Sequence, residues 1–123
     1  MKFDFCMLKL LAALTAVESG GNAYAVGDNG SAVGCLQITR PVVVDVNRVY
    51  GSRYKWPDDC YDKMRSQEIA TLYLHHYLAK APVPKTAENA ARIWNGGPTG
   101  YKKPRTCIYW RKVNIQLKQQ ETK

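Results

Sequence analysis

Met7-Leu8-Lys9-Leu10-Leu11-Ala12-Ala13-Leu14-Thr15-Ala16-Val17-Glu18-Ser19-Gly20-Gly21 is the stretch on which the reading of the fold turns. Met7, Leu10, Leu14 and Val17 recur at helical spacing, with Leu11 beside them, which describes the apolar face of an amphipathic helix. Gly20 and Gly21 end that helix. Glu18 continues the rhythm of Leu11 and Leu14, so its carboxylate emerges where the buried face of the helix stops. It is the only acidic residue between Asp4 and Asp28. A secretory signal is the competing reading of residues 3–17, which are apolar, follow Lys2 and end in small side chains. Asp4 and Lys9 interrupt the run, and its rhythm leads straight into Glu18, so we read it as part of the folded protein.

Working outward, residues 23–26 and 32–38 read as two extended segments around Gly27-Asp28-Asn29-Gly30-Ser31, where Asn-Gly supplies the positive backbone angles of a tight turn. The expectation is a small β-hairpin directly after the first helix. Thr39 is placed to cap a second helix with Pro41 in its first turn, Val42, Val46 and Val49 inward, and Gly51 at its end. A third helix is expected from near Asp62 to Ala79 on the stripe Ile69, Leu72, Tyr73 and His76, broken by Ala81-Pro82-Val83-Pro84. Thr86 suits the N-cap of a fourth helix running through Trp94 to Gly96-Gly97-Pro98. Thr106 starts a last helix that carries Cys107, Trp110, Val113 and Leu117 inward. The fold class is α+β, mainly α, in one domain of 123 residues, a length that closes one core.

Hydrophobic residues at 46% and charged residues at 23% exclude a disordered, collagen-like or membrane-spanning chain. The net charge of +8 favours polyanionic partners such as nucleic acid, anionic membranes or bacterial walls. Between Thr99 and Lys123 stand Lys102, Lys103, Arg105, Arg111, Lys112, Lys118 and Lys123 against Glu121, a pattern that a solvated helix face also produces. Cys6, Cys35, Cys60 and Cys107 form no Cys-x-x-Cys pair and have no matched histidines, so a zinc site has little support. Any of three disulfide pairings, or free buried thiols, fits four cysteines equally.

Hydrolysis of a glycosidic bond needs a carboxylic acid that stays protonated beside the substrate, and loss of hydration at the end of an apolar helix face has that effect on Glu18. A water-exposed glutamate at a helix end is the alternative. Glu18-Ser19-Gly20-Gly21, Gly34-Cys35-Leu36-Gln37-Ile38 and Asn95-Gly96-Gly97-Pro98 resemble, in order, the motifs of the lysozyme superfamily. The stretch from Ala91 to Pro98, with Tyr109-Trp110-Arg111-Lys112-Val113 after it, is most similar to invertebrate-type (destabilase-like) lysozymes. The Glu-Ser-Gly and Gly-x-Leu-Gln elements are shared with soluble lytic transglycosylases. The resemblance runs from Val17 to Val113 and implies a lysozyme-like fold and a peptidoglycan muramidase that cuts between N-acetylmuramic acid and N-acetylglucosamine. It also implies that Glu18 is the general acid, that Gln37 lines the sugar cleft and that Asn95 and Gly96 brace it.

Invertebrate-type enzymes use an aspartate in the hairpin, and Asp28 is its counterpart by resemblance. A retaining hydrolase wants this second carboxyl about 5 Å from the first. A turn residue bonding its own backbone before Asn29-Gly30 is the alternative for Asp28. Departures from the family are the four cysteines, few for this group, Trp94 where many relatives carry histidine, and Cys35-Leu36 in place of an aromatic pair. Ser19 has no histidine placed nearby by any motif, so a local hydrogen bond beside Glu18 is expected of it rather than nucleophilic attack. Neighbouring His75 and His76 diverge by about 100° on a helix and cannot chelate together. His76 is expected in the core and His75 outside. Tyr101 and Tyr109 are candidate sugar-stacking residues, and Trp110 is expected in the core. No metal and no cofactor are expected. A monomer acting on bacterial peptidoglycan at the cell wall, trimmed or released from the cell, is the expected context, without membrane insertion. A wall-binding module that has lost catalysis and a lytic transglycosylase are the competing functions. A nucleic-acid-binding domain rests on charge alone and lacks any supporting motif.

Overall fold

The computed structural model describes residues 2–121. Among them stand five α-helices, α1 (Met7–Ser19), α2 (Arg40–Tyr50), α3 (Lys63–Lys80), α4 (Ala87–Gly96) and α5 (Thr106–Glu121). Three short strands, β1 (Val26–Gly27), β2 (Ala32–Val33) and β3 (Ile38–Thr39), complete the mainly helical α+β architecture. By compactness the chain falls into two units. A hairpin unit comprises Glu18–Tyr73, and a helical unit comprises the described residues before Glu18 and after Tyr73. The boundary lies inside α1 after Val17 and inside α3 after Tyr73. No helix among the described residues is long and apolar enough to cross a membrane.

In the hairpin unit the strands pair antiparallel in the order β1-β2-β3, with Val26 opposite Val33 and Val33 opposite Ile38. The sequence reading expected two strands. The second extended segment instead breaks into β2 and β3, because Gly34 and Gln37 both take left-handed φ values, 82° and 52°, and the Gln37 amide closes a turn onto the Gly34 carbonyl at 3.1 Å. Asn29 and Gly30 also have positive φ, as the Asn-Gly turn requires. Helix α2 has Thr39 at its N-cap, Pro41 in its first turn and left-handed Gly51 after its end. Val43 and Val46 are buried while Val42 and Val49 are half-buried, so the inward face is turned by one residue from the expected stripe. Ala32, Val33, Cys35, Leu36, Ile38, Cys60, Ile69, Ala70 and Tyr73 complete the buried apolar set described for this unit.

In the helical unit Leu10, Leu11, Ala13 and Leu14 of α1, Leu74 and Leu78 of α3, and Ala90, Ala91 and Ile93 of α4 are fully or almost fully buried. Truncating one of the leucines to alanine costs about 2–5 kcal/mol in such a setting. Thr86 caps α4 through a hydrogen bond from the Asn89 amide at 3.2 Å. The helix continues past Trp94 to Gly96.

Helix α5 corrects the sequence reading most plainly. Its buried residues are Thr106, Tyr109 and Val113, whereas Cys107, Trp110 and Leu117 are only half-buried. Burial of Thr106 at the first position sets the phase of the helix, and Tyr109 and Val113 follow it at helical spacing. His75 is exposed, with its ring 5.3 Å from that of Phe3. His76 is half-buried against the edge of Tyr77. None of the four cysteines, Cys6, Cys35, Cys60 and Cys107, is joined in a disulfide.

Candidate functional site

Glu18 lies half-buried on the last turn of α1, and Gly20 and Gly21, with φ values of 64° and 96°, turn the chain away immediately after it. Ser19 fixes that exit. Its hydroxyl donates to the Cys35 carbonyl at 2.7 Å and accepts from the Gly21 amide at 3.1 Å. The end of the helix is thereby tied to the loop of residues 34–37.

That loop is braced from within. The Gly34 amide donates to the Ala25 carbonyl at 2.8 Å, and the Gln37 side-chain amide donates to the carbonyls of Ala25 at 3.3 Å and Gly34 at 3.1 Å. Both hydrogens of Gln37 Nε2 are therefore engaged by main chain. Its Oε1 sits where a Cβ on Gly27 would stand, so Gly27 admits the amide only by lacking a side chain. A Cβ on Gly34 would collide with the Cys60 carbonyl, so residues 34 and 60 approach at backbone distance. Ser66 donates to the same carbonyl at 2.8 Å. Burial, with the charge of Asp59 adding to it, pushes the Cys60 thiol up to about 12, which leaves it protonated and unreactive at neutral pH.

Asp28 is exposed on the β1–β2 turn with φ of 50°. Its carbonyl, not its carboxylate, holds the turn, accepting from the Ser31 amide at 3.2 Å and the Ser31 hydroxyl at 2.8 Å. Among the described residues, the hydrogen bonds that Asp28 makes in the hairpin run through its main chain. Glu18, Ser19 and Gln37 are joined through the loop of residues 34–37, and Asp28 sits on the turn of the same small sheet.

The helical unit holds the second group. Asn95 is exposed and Gly96 is buried at the end of α4. A Cβ on Gly96 would stand 2.7 Å from the Thr106 methyl, and Gly97, with φ of 87°, redirects the chain. Thr106 is fully buried, and its hydroxyl lies 2.8 Å from the carbonyls of Gly100 and Lys103. Arg92 donates to that hydroxyl at 2.8 Å and to the Lys103 carbonyl at 3.1 Å. Lys103 Nζ donates to the Gly96 carbonyl at 2.7 Å, so this lysine is a brace of the loop rather than a free surface charge. Tyr101 is half-buried and lines a hollow of about 250 Å³ with Tyr77, Lys80, Ala81, Pro82 and Pro98. Tyr109, expected at the cleft, is 9% exposed and belongs to the core. Of the basic run, Lys102, Arg105, Arg111, Lys112 and Lys118 are exposed, and Lys123 lies outside the described residues.

Sequence reasoning missed an aromatic group on the hairpin unit. Exposed Tyr24 stacks with Tyr61, centroids 6.3 Å apart, and Trp56 donates from its indole to the Ile38 carbonyl at 3.0 Å beneath the Arg40 guanidinium, 4.7 Å from the ring centre. The exposed Tyr24 ring offers an apolar face with a polar tip. No periodic signal pairs positions so distant, although an unburied tyrosine beside a predicted turn is a hint.

Comparison with known proteins follows from this geometry. The family model described as the transglycosylase SLT domain matches residues 5–112. A lysozyme of Ostrea edulis is 32% identical over 83 residues, 68% of this chain and 58% of that protein. An invertebrate-type lysozyme of Ruditapes philippinarum is 31% identical over 106 residues, 83% of this chain and 75% of that one. The chain spans about half the length of the first curated relatives it matches. Among solved structures, the crystal structure of Tapes japonica lysozyme superposes with a TM-score of 0.75 at 29% identity, covering 90% of this chain and 92% of that one. Inhibitor-bound lysozyme from Meretrix lusoria gives 0.74 at 29% identity, with 85% of each chain covered.

Proposed function

Because this chain belongs to the lysozyme-like family of transglycosylase SLT domains, with invertebrate-type lysozymes among its relatives, we propose that it is a peptidoglycan muramidase with Glu18 as general acid and base. The observation that carries the reading is the tie from the end of α1 to the loop of residues 34–37, in which Ser19 bonds the Cys35 carbonyl and so holds Glu18 beside the loop that carries Gln37. Proton delivery by a carboxylic acid accelerates the cleavage about 10²–10⁴-fold when the group is held in place.

In this reading Glu18 protonates the departing sugar oxygen and then, as its conjugate base, activates water. Asp28 faces the positive sugar as nucleophile or stabiliser. Its carboxylate is available for that task because the turn is held by its carbonyl. With Nε2 engaged by main chain and Oε1 set against Gly27, Gln37 contributes the shape of its loop, and so positions rather than reacts. In the helical unit, Asn95, Gly96 and Tyr101 are the residues that the family resemblance assigns to substrate binding. The net charge of +8 draws the enzyme to anionic walls, with an effect that salt screens over about 8–10 Å. The site of action is the bacterial cell wall, and the working form is the monomer.

The match to the SLT domain model favours a second reading, in which Glu18 directs internal attack by the muramic acid 6-hydroxyl and leaves a 1,6-anhydro ring. Mass spectrometry of digested peptidoglycan separates the two. Reducing-end muramic acid is the expected product, and a set dominated by anhydro ends, lighter by one water, would overturn hydrolysis. Asp28→Asn should keep the turn and lower the hydrolytic rate about tenfold or more. An asparagine variant that works as well as wild type would remove Asp28 from the mechanism.

A further inference from the structure

Beyond the glycan-cutting residues, the hairpin unit carries a second concave feature. Arg53, Tyr54, Lys55, Asp59 and Arg65 line an open hollow of about 420 Å³, within the size range of sites for small ligands. We propose that this hollow is a carboxylate-binding subsite for the peptide stems of peptidoglycan, an inference that rests on the muramidase reading.

The hollow is built before any ligand arrives. Asn47 clasps Tyr54 from both sides, donating to its carbonyl at 2.9 Å and accepting from its amide at 3.0 Å. The Tyr54 hydroxyl donates to Glu68 at 2.7 Å. Asp59 accepts from the Lys55 amide at 2.7 Å with one oxygen and pairs with Arg65 at 2.9 Å with the other. These bonds fix the walls while leaving two cations over. Among the described residues the side chains of Arg53 and Lys55 have no acidic partner, whereas Asp59, the acid lining the hollow, and Glu68, which holds the Tyr54 hydroxyl, are engaged.

A guanidinium and an ammonium on a preformed rim match a carboxylate, the first by its fork of parallel donors and the second as a point charge. The Tyr54 ring offers an apolar wall to a short peptide. Asp59 among the cations breaks the positive surface, which suits a discrete carboxylate better than a continuous phosphodiester chain. The same segment runs into Trp56, whose indole is bonded to the Ile38 carbonyl directly after Gln37. The segment that forms the hollow is thus tied by one hydrogen bond to the residue that follows Gln37.

The test uses the full chain and two soluble probes, N-acetylglucosaminyl-N-acetylmuramic acid carrying a tripeptide and the same peptide-free disaccharide with its lactyl carboxyl capped as the simple amide, with affinities measured by calorimetry. The double substitution Arg53→Gln with Lys55→Gln should weaken binding of the peptide-bearing probe about tenfold or more, the loss expected for charge-assisted hydrogen bonds, and leave the peptide-free probe unchanged. Equal loss on both probes, or no loss on either, overturns the subsite. So does an equal effect from the control pair Lys112→Gln with Lys118→Gln on α5, which would show general attraction only. A glycerol-phosphate polymer forms the third arm; if its binding falls in the double variant while tripeptide binding holds, the ligand is a wall phosphate and the carboxylate assignment fails. If wild type cuts no wall yet loses the tripeptide on substitution, the muramidase reading falls and the subsite stands.

Discussion

In the hairpin unit the loop of residues 34–37 is braced by neutral groups, the Ser19 hydroxyl on the Cys35 carbonyl and the Gln37 amide on the carbonyls of Ala25 and Gly34. In the helical unit the connection from α4 to α5 is braced by cations, Arg92 on Thr106 and the Lys103 carbonyl, and Lys103 on the Gly96 carbonyl. The contrast has a physical sense under the proposed mechanism. An acid that must lose and regain its proton in each turnover is hindered by a cation that holds it ionised, so neutral donors suit its surroundings. A loop that only positions asparagine and backbone can use charge-assisted bonds, which are about twice as strong as neutral ones.

The most severe way to test the division is Glu18→Gln, which keeps size and removes the proton. Wall cleavage should fall about 10²–10⁴-fold with circular dichroism unchanged. Near-normal turbidity clearing by a folded variant would take the chemistry away from the hairpin unit altogether.

Close backbone approach offers a matched pair, one glycine from each unit. Gly34→Ala puts a Cβ into the Cys60 carbonyl at a φ of 82°, and Gly100→Ala puts one into the Arg92 carbonyl. Collision and left-handed strain together should cost Gly34→Ala about 3 kcal/mol or more, and collision alone should cost Gly100→Ala about 2 kcal/mol. Urea unfolding midpoints decide the order, and a reversed order would mean that the hairpin loop yields more easily than its bonding suggests.

The cationic brace separates two adjacent lysines. Lys103→Met should lower stability by about 1–2 kcal/mol by orphaning the Gly96 carbonyl, while exposed Lys102→Met should stay within about 0.5 kcal/mol. Equal effects would reduce Lys103 to a surface charge like its neighbour.

The smallest effect is a pH dependence of the hairpin unit. Burial raises the Cys60 thiol from 9.0 to about 12, so the fold favours the neutral form. That contribution is complete below about pH 9 and is lost as pH rises through about 12. Unfolding midpoints should therefore decline across that alkaline window and decline less in Cys60→Ala. An identical slope in the variant would assign the alkaline loss to other groups, Tyr54 first among them, since burial and Glu68 push its hydroxyl to about 12 as well.

Much of this was legible in the chain itself, for local reasons. Apolar rhythm placed α1 and set Glu18 at its end, glycines marked the exits of α1 and α2, and Thr86 marked the start of α4, because each is a short-range matter of spacing, backbone freedom or capping. What only the tertiary structure decided lies where distant segments compete for one face or one carbonyl. Gln37 takes a left-handed backbone that no propensity assigns to glutamine, because its amide finds Ala25 and Gly34, and so the expected hairpin becomes three strands. Thr106 is buried by its bonds to Gly100, Lys103 and Arg92, which turns α5 so that Tyr109 enters the core and Trp110 does not. Lys103 becomes a brace, and residues 53–65 close around a hollow, through side-chain bonds that no repeat or periodicity of the sequence marks. Spacing along one element tells which residues share a face; the phase of that face against its neighbours is fixed by bonds and packing to residues far away in the chain.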